Sequence, residues 1–149
     1  ILSIVTVKES MKFMSKIYTL TSIGELIDKI TILEIKKDNI KDTSKLKEVN
    51  KELDALVAIE RDLKNVDDLD LFYVKTELKQ KLREINAKLW GIEDSIRKKE
   101  KNKAFDSEFI KLARLVYLTN DQRFKVKNEI NELFGSEIKE QKQYTNYQK

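Results

Sequence analysis

Leu71 to Lys101 reads LFYVKTELKQKLREINAKLWGIEDSIRKKEK, and its aliphatic residues recur with a helical beat. Leu71, Val74, Leu78, Leu82, Ile85, Leu89, Ile92 and Ile96 step by 3, 4, 4, 3, 4, 3 and 4. Coiled-coil-like spacing of this kind, held over more than three heptads, puts one apolar seam on one face of an α-helix. At ~1.5 Å per residue that helix is roughly 46 Å long. Such a seam is either intramolecular core or the interface with a second chain.

The segments on either side read as helices too. Upstream, Ser22-Ile23-Gly24-Glu25 has the Ser-x-x-Glu form of a capping box, in which each side chain satisfies an orphan amide of the first turn. The first helix then runs from about Ile23 to Lys41, with Ile23, Leu26, Ile27, Ile30 and Leu33 at helical spacing. Ile32 and Ile35 widen this stripe, which predicts neighbours on two sides and the most buried helix of the fold. Asp42-Thr43-Ser44 stops and restarts the chain, and a second helix spans about Ser44 to Lys64. Leu46, Val49, Leu53, Leu56 or Val57, and Leu63 face inward, while its charged other faces mark an outer helix. The acidic stretch from Asn65 to Asp70 breaks it, and Asp68 or Asp70 caps the third helix.

Asn102 to Ala104 make the next turn, and Asp106 or Ser107 caps a fourth helix that runs to Phe134. Gly135 falls where a left-handed C′ residue belongs. Phe109 to Leu118 are apolar on nearly every side, so this half-helix is buried all round or meets a partner. The expected fold is all-α: four main helices as two antiparallel hairpins, about 23–64 and about 71–134, in a bundle. The first two helices reach only about 30 Å each, so the second hairpin protrudes past the first or is covered by another chain. Residues 16–21 read as a short extended lead-in, and the polar tail from about 136 as partly ordered. Residues 1–13 read as an upstream or flexible extension before Met14, leaving 14–149 as a single helical domain.

Composition narrows the chemistry. The chain has no cysteine and no histidine, which removes thiolate sites, the commonest zinc ligand and the commonest general base. Any catalysis would rest on carboxylates, lysine, tyrosine or serine, with magnesium the fitting metal. The absence of proline and the presence of only three glycines let long helices run. The net charge of +4 is modest for a nucleic-acid binder and unevenly spread. Residues 1–70 hold 12 basic and 14 acidic side chains, residues 71–149 hold 18 and 12. The basic run Arg97 to Lys103 is read as a solvated helix end whose cations complement the dipole, and the aromatics are not interleaved with it. No apolar stretch approaches the ~20 residues that span a bilayer, and the opening Ile1 to Val7 lacks a basic region before it. The expectation is a cytoplasmic protein without membrane or nucleic-acid contact.

Polar groups on otherwise apolar stripes are the candidate functional residues. Glu34 continues the row Ile23, Ile27, Ile30, and Asn120 continues Phe109, Ala113, Val116. Trp90, Glu93, Arg97 and Glu100 share one helix face, as do Arg114, Tyr117 and Asp121. If the first, third and fourth helices pack together, Glu34, Glu93, Asp94 and Asp121 meet Arg97, Arg114 and Arg123 beside Asn120. The favoured reading is a mutually satisfied ion-pair network that fixes helix register. A metal or ligand site and plain surface pairs stand as the alternatives.

Gly24-Glu25-Leu26-Ile27-Asp28-Lys29-Ile30-Thr31-Ile32-Leu33-Glu34-Ile35-Lys36 resembles the opening signature of a family of small bacterial and phage proteins, a domain of unknown function. The likeness continues through Leu89 to Arg97 and Glu100, then Phe109-Ile110, Ala113-Arg114, Val116-Tyr117, Asn120-Asp121, Arg123 and Gly135-Ser136-Glu137. It covers about Ile17 to Tyr144 and implies domain extent and a cytoplasmic setting, with no activity attached.

Two enzyme classes bear comparison with this sequence. All-α nucleotide pyrophosphohydrolases hold magnesium on Glu and Asp of adjacent helices; this chain offers the acid pair Glu93-Asp94 but no Glu-Glu-x-x-Glu run. A helical chorismate-mutase-like reading starts from Ile27-Asp28, but needs bidentate guanidinium groups, and the first helix carries no arginine. The balance falls on a non-enzymatic helical interaction or scaffold module that associates with itself or another protein and needs no cofactor. Magnesium enters only under the pyrophosphohydrolase alternative.

Overall fold

The computed structural model describes residues 16–63 and 69–147. Four helices follow in order: α1 (Ile23–Asn39), α2 (Thr43–Asp62), α3 (Leu69–Lys101) and α4 (Ser107–Leu133). The described residues contain no strand, and none of their helices is long and apolar enough to cross a membrane. The expected extension at 1–13, the Met14 start and the Asp68 cap lie outside the described residues.

The boundaries follow local chemistry. Ser22 Oγ accepts the Glu25 amide at 3.1 Å to open α1. Asp42, rather than Ser44, opens α2 by accepting the Lys45 amide at 3.0 Å, and the Ser44 hydroxyl donates back to it. Asp106 opens α4 by accepting the Phe109 amide at 2.9 Å. The end of α4 is a Schellman turn. The Ser136 amide donates to the Asn131 carbonyl at 2.8 Å and the Gly135 amide to Glu132 at 3.2 Å, with Gly135 at φ +60°. The end of α3 repeats this hydrogen-bond pattern with Lys103 in the left-handed position at φ 53°.

α1 is the central helix and packs against all three others. One side sets Leu26, Ile30 and Leu33 against Leu53 of α2, with Val49, Leu56, Val57 and Leu63 closing round them. The opposite side sets Ile27 against Leu82 of α3 and Val126 and Ile130 of α4. Two cores on one helix explain the broad apolar stripe; fully burying each such side chain contributes about 1.5–3 kcal/mol. α2 packs only on α1 among the helices, apart from ion pairs that Glu60 makes to Lys75 and Lys79 of α3.

α3 and α4 lie along each other in opposite directions. Lys99 pairs with Asp106 near the turn, whereas Lys81, far back on α3, meets Glu129 near the end of α4. Spanning 33 residues, α3 is about 50 Å long against about 26 Å for the 17 residues of α1. The α1 core therefore covers only part of it. Leu82, Leu89 and Ile92 of the seam are buried, but Val74 is exposed, and no residue from Glu93 to Leu118 is buried. The apolar first half of α4 is thus not enclosed within its own chain: Ile110 is 57% exposed. After α4 the tail turns back along it. Glu140 pairs with Lys127, Lys142 sits 5.0 Å over the Phe124 ring, and the Tyr147 hydroxyl donates to Asp121.

Candidate functional site

A carboxylate lies at the heart of the α1–α3–α4 packing. Asp28 faces the interior because it follows Ile27 and precedes Ile30 on the stripe, and it is 1% exposed. An ionised group there must be paired. Arg123 of α4 reaches it with both sides of its fork, Nε donating to Oδ1 at 2.9 Å and Nη2 donating to Oδ2. Asn86 of α3 donates from Nδ2 to Asp28 Oδ1 at 2.8 Å and to Thr31 Oγ1 at 3.0 Å. The Thr31 hydroxyl donates in turn to the Asp28 carbonyl at 2.8 Å. Three helices are tied at one point by charge-assisted bonds. The hydrogen bond to Asp28 outweighs burial and holds the Arg123 guanidinium charged even more firmly than usual.

Beside this knot opens a cleft of about 590 Å³. Ile32, Ile35 and Leu89 form its apolar wall, Asn86 and Arg123 its floor, and Trp90, Glu93, Asp94, Arg97 and Asn120 its rim. Arg123 Nη1 donates to Asn120 Oδ1 at 3.4 Å. The rim charges are matched along their own helix turns: Glu93 with Arg97 at 2.5 Å and Asp94 with Lys98 at 2.6 Å. Exposed pairs of this type are worth only a few tenths of a kcal/mol, so they do little to hold the fold.

A second knot ties the start of α1 to the end of α4. Gly24 donates its amide to Asn131 Oδ1 at 2.6 Å, and Ile23 to Ser136 Oγ at 3.4 Å. Lys127 is buried between Glu25 and Glu140, each at 2.6 Å. Burial pushes the Lys127 ammonium toward losing its proton, but the hydrogen bonds it donates to Glu140 and Glu25 outweigh this and its pKa lies above the usual lysine value.

Of the eight residues picked from the sequence, five line the one cleft: Glu93, Asp94, Arg97, Asn120 and Arg123. The other three go elsewhere. Glu34 faces Lys79 and Arg83 of α3 at 3.6 and 3.5 Å. Asp121 accepts from the tail's Tyr147, and Arg114 is exposed on the far part of α4. The residues that organise the site, Asp28, Asn86 and Thr31, were missing from that set. Their signal was present: Asn86 stands four after Leu82 and three before Leu89, a polar residue in a seam position. Asp28 has no arginine on its own helix, and the arginine it pairs with comes from α4. Among the described residues no three His, Cys, Asp or Glu side chains come together as a metal site would need.

No curated protein and no solved structure matches the chain. Residues 17–148 do match one family model, and the chain belongs to that family, described as a family of unknown function (DUF6165).

Proposed function

We propose that this protein is a helical interaction module that associates with a second copy of itself through the outer part of the α3–α4 pair. One observation carries the reading. Between Glu93 and Leu118 the chain buries no residue, although Phe109, Leu112, Leu115 and Val116 are apolar there and Phe105 and Ile110 are more than half exposed. Phe105 and Phe109 stack edge to face there, and apolar surface left open to solvent in this way marks a protein contact. A like-with-like contact suits it because the ion pairs there, such as Lys99 with Asp106 and Glu108, are already closed within the chain. Over 93–118 the seven basic and five acidic side chains leave a surplus of only two positive charges, too small to select an oppositely charged partner. The magnesium-dependent reading has less to stand on, since Glu93 and Asp94 are each paired with a basic residue one turn on.

Sedimentation equilibrium at tens of micromolar tests the proposal. The wild-type chain is expected to be a dimer, and Ile110→Glu to be a monomer with unchanged helix content. A clean wild-type monomer refutes it.

A further inference from the structure

We propose that the cleft beside Asp28 binds a neutral planar ring carrying both a hydrogen-bond donor and an acceptor, the chemistry of a nucleobase. The cleft faces Ile32 and Ile35 of α1 and shares only Glu93, Asp94 and Arg97 with the outer α3–α4 segment, and its ligand does not depend on self-association.

The first observation is an amide left half-used. Asn86 is 5% exposed and spends both N–H groups on Asp28 and Thr31. Because a carboxylate and a hydroxyl already committed to a carbonyl take those hydrogens, the orientation of the amide is fixed. Its oxygen accepts no hydrogen bond from the described residues. Nor is that oxygen sealed in the core, since Thr119 Oγ1 is the one wholly buried side-chain polar atom among the described residues without a partner. It opens on the cleft that Asn86 lines.

The second observation is the complementary group. Asn120, which lines this cleft and the neighbouring one beneath the tail, turns its oxygen to Arg123, which leaves its NH2 free to donate to a ligand. An acceptor and a donor are thus held at the two ends of one hydrogen-bond chain, Asn86–Asp28–Arg123–Asn120. Trp90 stands on the rim, 39% exposed.

Charge then selects the ligand class. Every ionised group around the cleft is matched: Arg123 by Asp28, Arg97 by Glu93, Asp94 by Lys98. A phosphate or a zwitterion would have to break one of these pairs. A neutral ring would not: it stacks on Trp90, lies against Ile32, Ile35 and Leu89, donates to Asn86 and accepts from Asn120. The volume of about 590 Å³ sits within the roughly 300–1,000 Å³ usual for small-molecule sites. Asparagine amides are well matched to base edges, and aromatic side chains to base faces.

Trp90 is the sole tryptophan, so the ¹⁵N-labelled full chain gives one indole N–H resonance at the site. That resonance is followed while adenosine, guanosine, cytidine and uridine are added separately, with ribose as control and a ten-nucleotide single-stranded RNA as a further arm. The expected result is a saturable shift with at least one nucleoside and none with ribose. Asn120→Ala is expected to weaken it about fivefold or more with an unchanged melting temperature. Should that variant melt early, Trp90→Ala, on the exposed rim, is read instead from the Asn120 side-chain amide and must weaken binding about tenfold. RNA binding tighter than any nucleoside assigns the ring to a strand; equal or weaker binding assigns it to a free nucleoside. No shift up to ten millimolar nucleoside, an equal shift with ribose, or undiminished binding in the decisive variant overturns the proposal.

Discussion

Replacing Gly24 by alanine sets two physical effects against each other. In a solvent-facing helix interior, Gly→Ala stabilises by about 1 kcal/mol, because alanine loses less backbone entropy. Gly24 faces α4 instead. A Cβ added there falls far inside contact distance of the Lys127 carbonyl oxygen, 3.0 Å from its carbonyl carbon and 2.8 Å from Asn131 Oδ1. Two of those three atoms are backbone, which has no rotamer to escape into. The helices must therefore separate, loosening the Ile27–Val126–Ile130 cluster and the 2.6 Å bond from Gly24 to Asn131. Overpacking costs typically about 1–3 kcal/mol, and a backbone obstacle puts this case at the upper end. After the propensity gain the net loss is about 2 kcal/mol, which in a domain this size lowers the melting temperature by roughly 4–8 °C. Thermal and urea unfolding followed by circular dichroism would measure it. A Gly24→Ala protein as stable as wild type, or more so, would refute the close approach of α1 to α4.

Three further outcomes follow from the same packing. Arg123→Met leaves the Asp28 carboxylate buried with only Asn86 and should destabilise by about 3 kcal/mol or more, whereas Asp28→Leu with Arg123→Met should recover most of that loss; equal melting of Arg123→Met and wild type counts against the knot. Glu60 is raised by burial but lowered further by its bond to Lys79 and the charges of Lys79 and Lys75, so its folded pKa lies below the ordinary value. Its stabilisation is then fully present above about pH 4.3 and lost as pH falls through the folded value; the urea midpoints of wild type and Lys79→Met should converge between pH 7 and pH 3, and a constant gap contradicts this. Ile110→Glu should leave thermal stability within about 0.5 kcal/mol of wild type, since the side chain is exposed within its own protomer, when both are compared at concentrations too low for association.

The candidate site was legible in outline only. Glu93, Arg97, Asn120 and Arg123 were found because each is polar beside an apolar stripe, and helical spacing placed them on faces that could meet. Periodicity gives the face of a residue but not the angle between helices, so it grouped Glu34, Arg114 and Asp121 with them; the structure turns Glu34 toward Lys79 and leaves Arg114 exposed. Asp28 was the harder miss. No basic residue stands three or four positions from Asp28 along α1, and its partner lies 95 residues away.

What the residues alone determined are the local decisions. Ser22, Asp42 and Asp106 open helices because short polar side chains can satisfy first-turn amides, and Gly135 closes one because it adopts a left-handed turn without strain. These choices are settled within a few residues of chain. The placement of α1 between two cores, the meeting of Asp28, Asn86 and Arg123, and the contact that forbids a side chain at Gly24 were decided only by the tertiary structure. They depend on how three rods cross in space, and a crossing is set by the fit of side chains from distant segments rather than by the order of residues along any one of them.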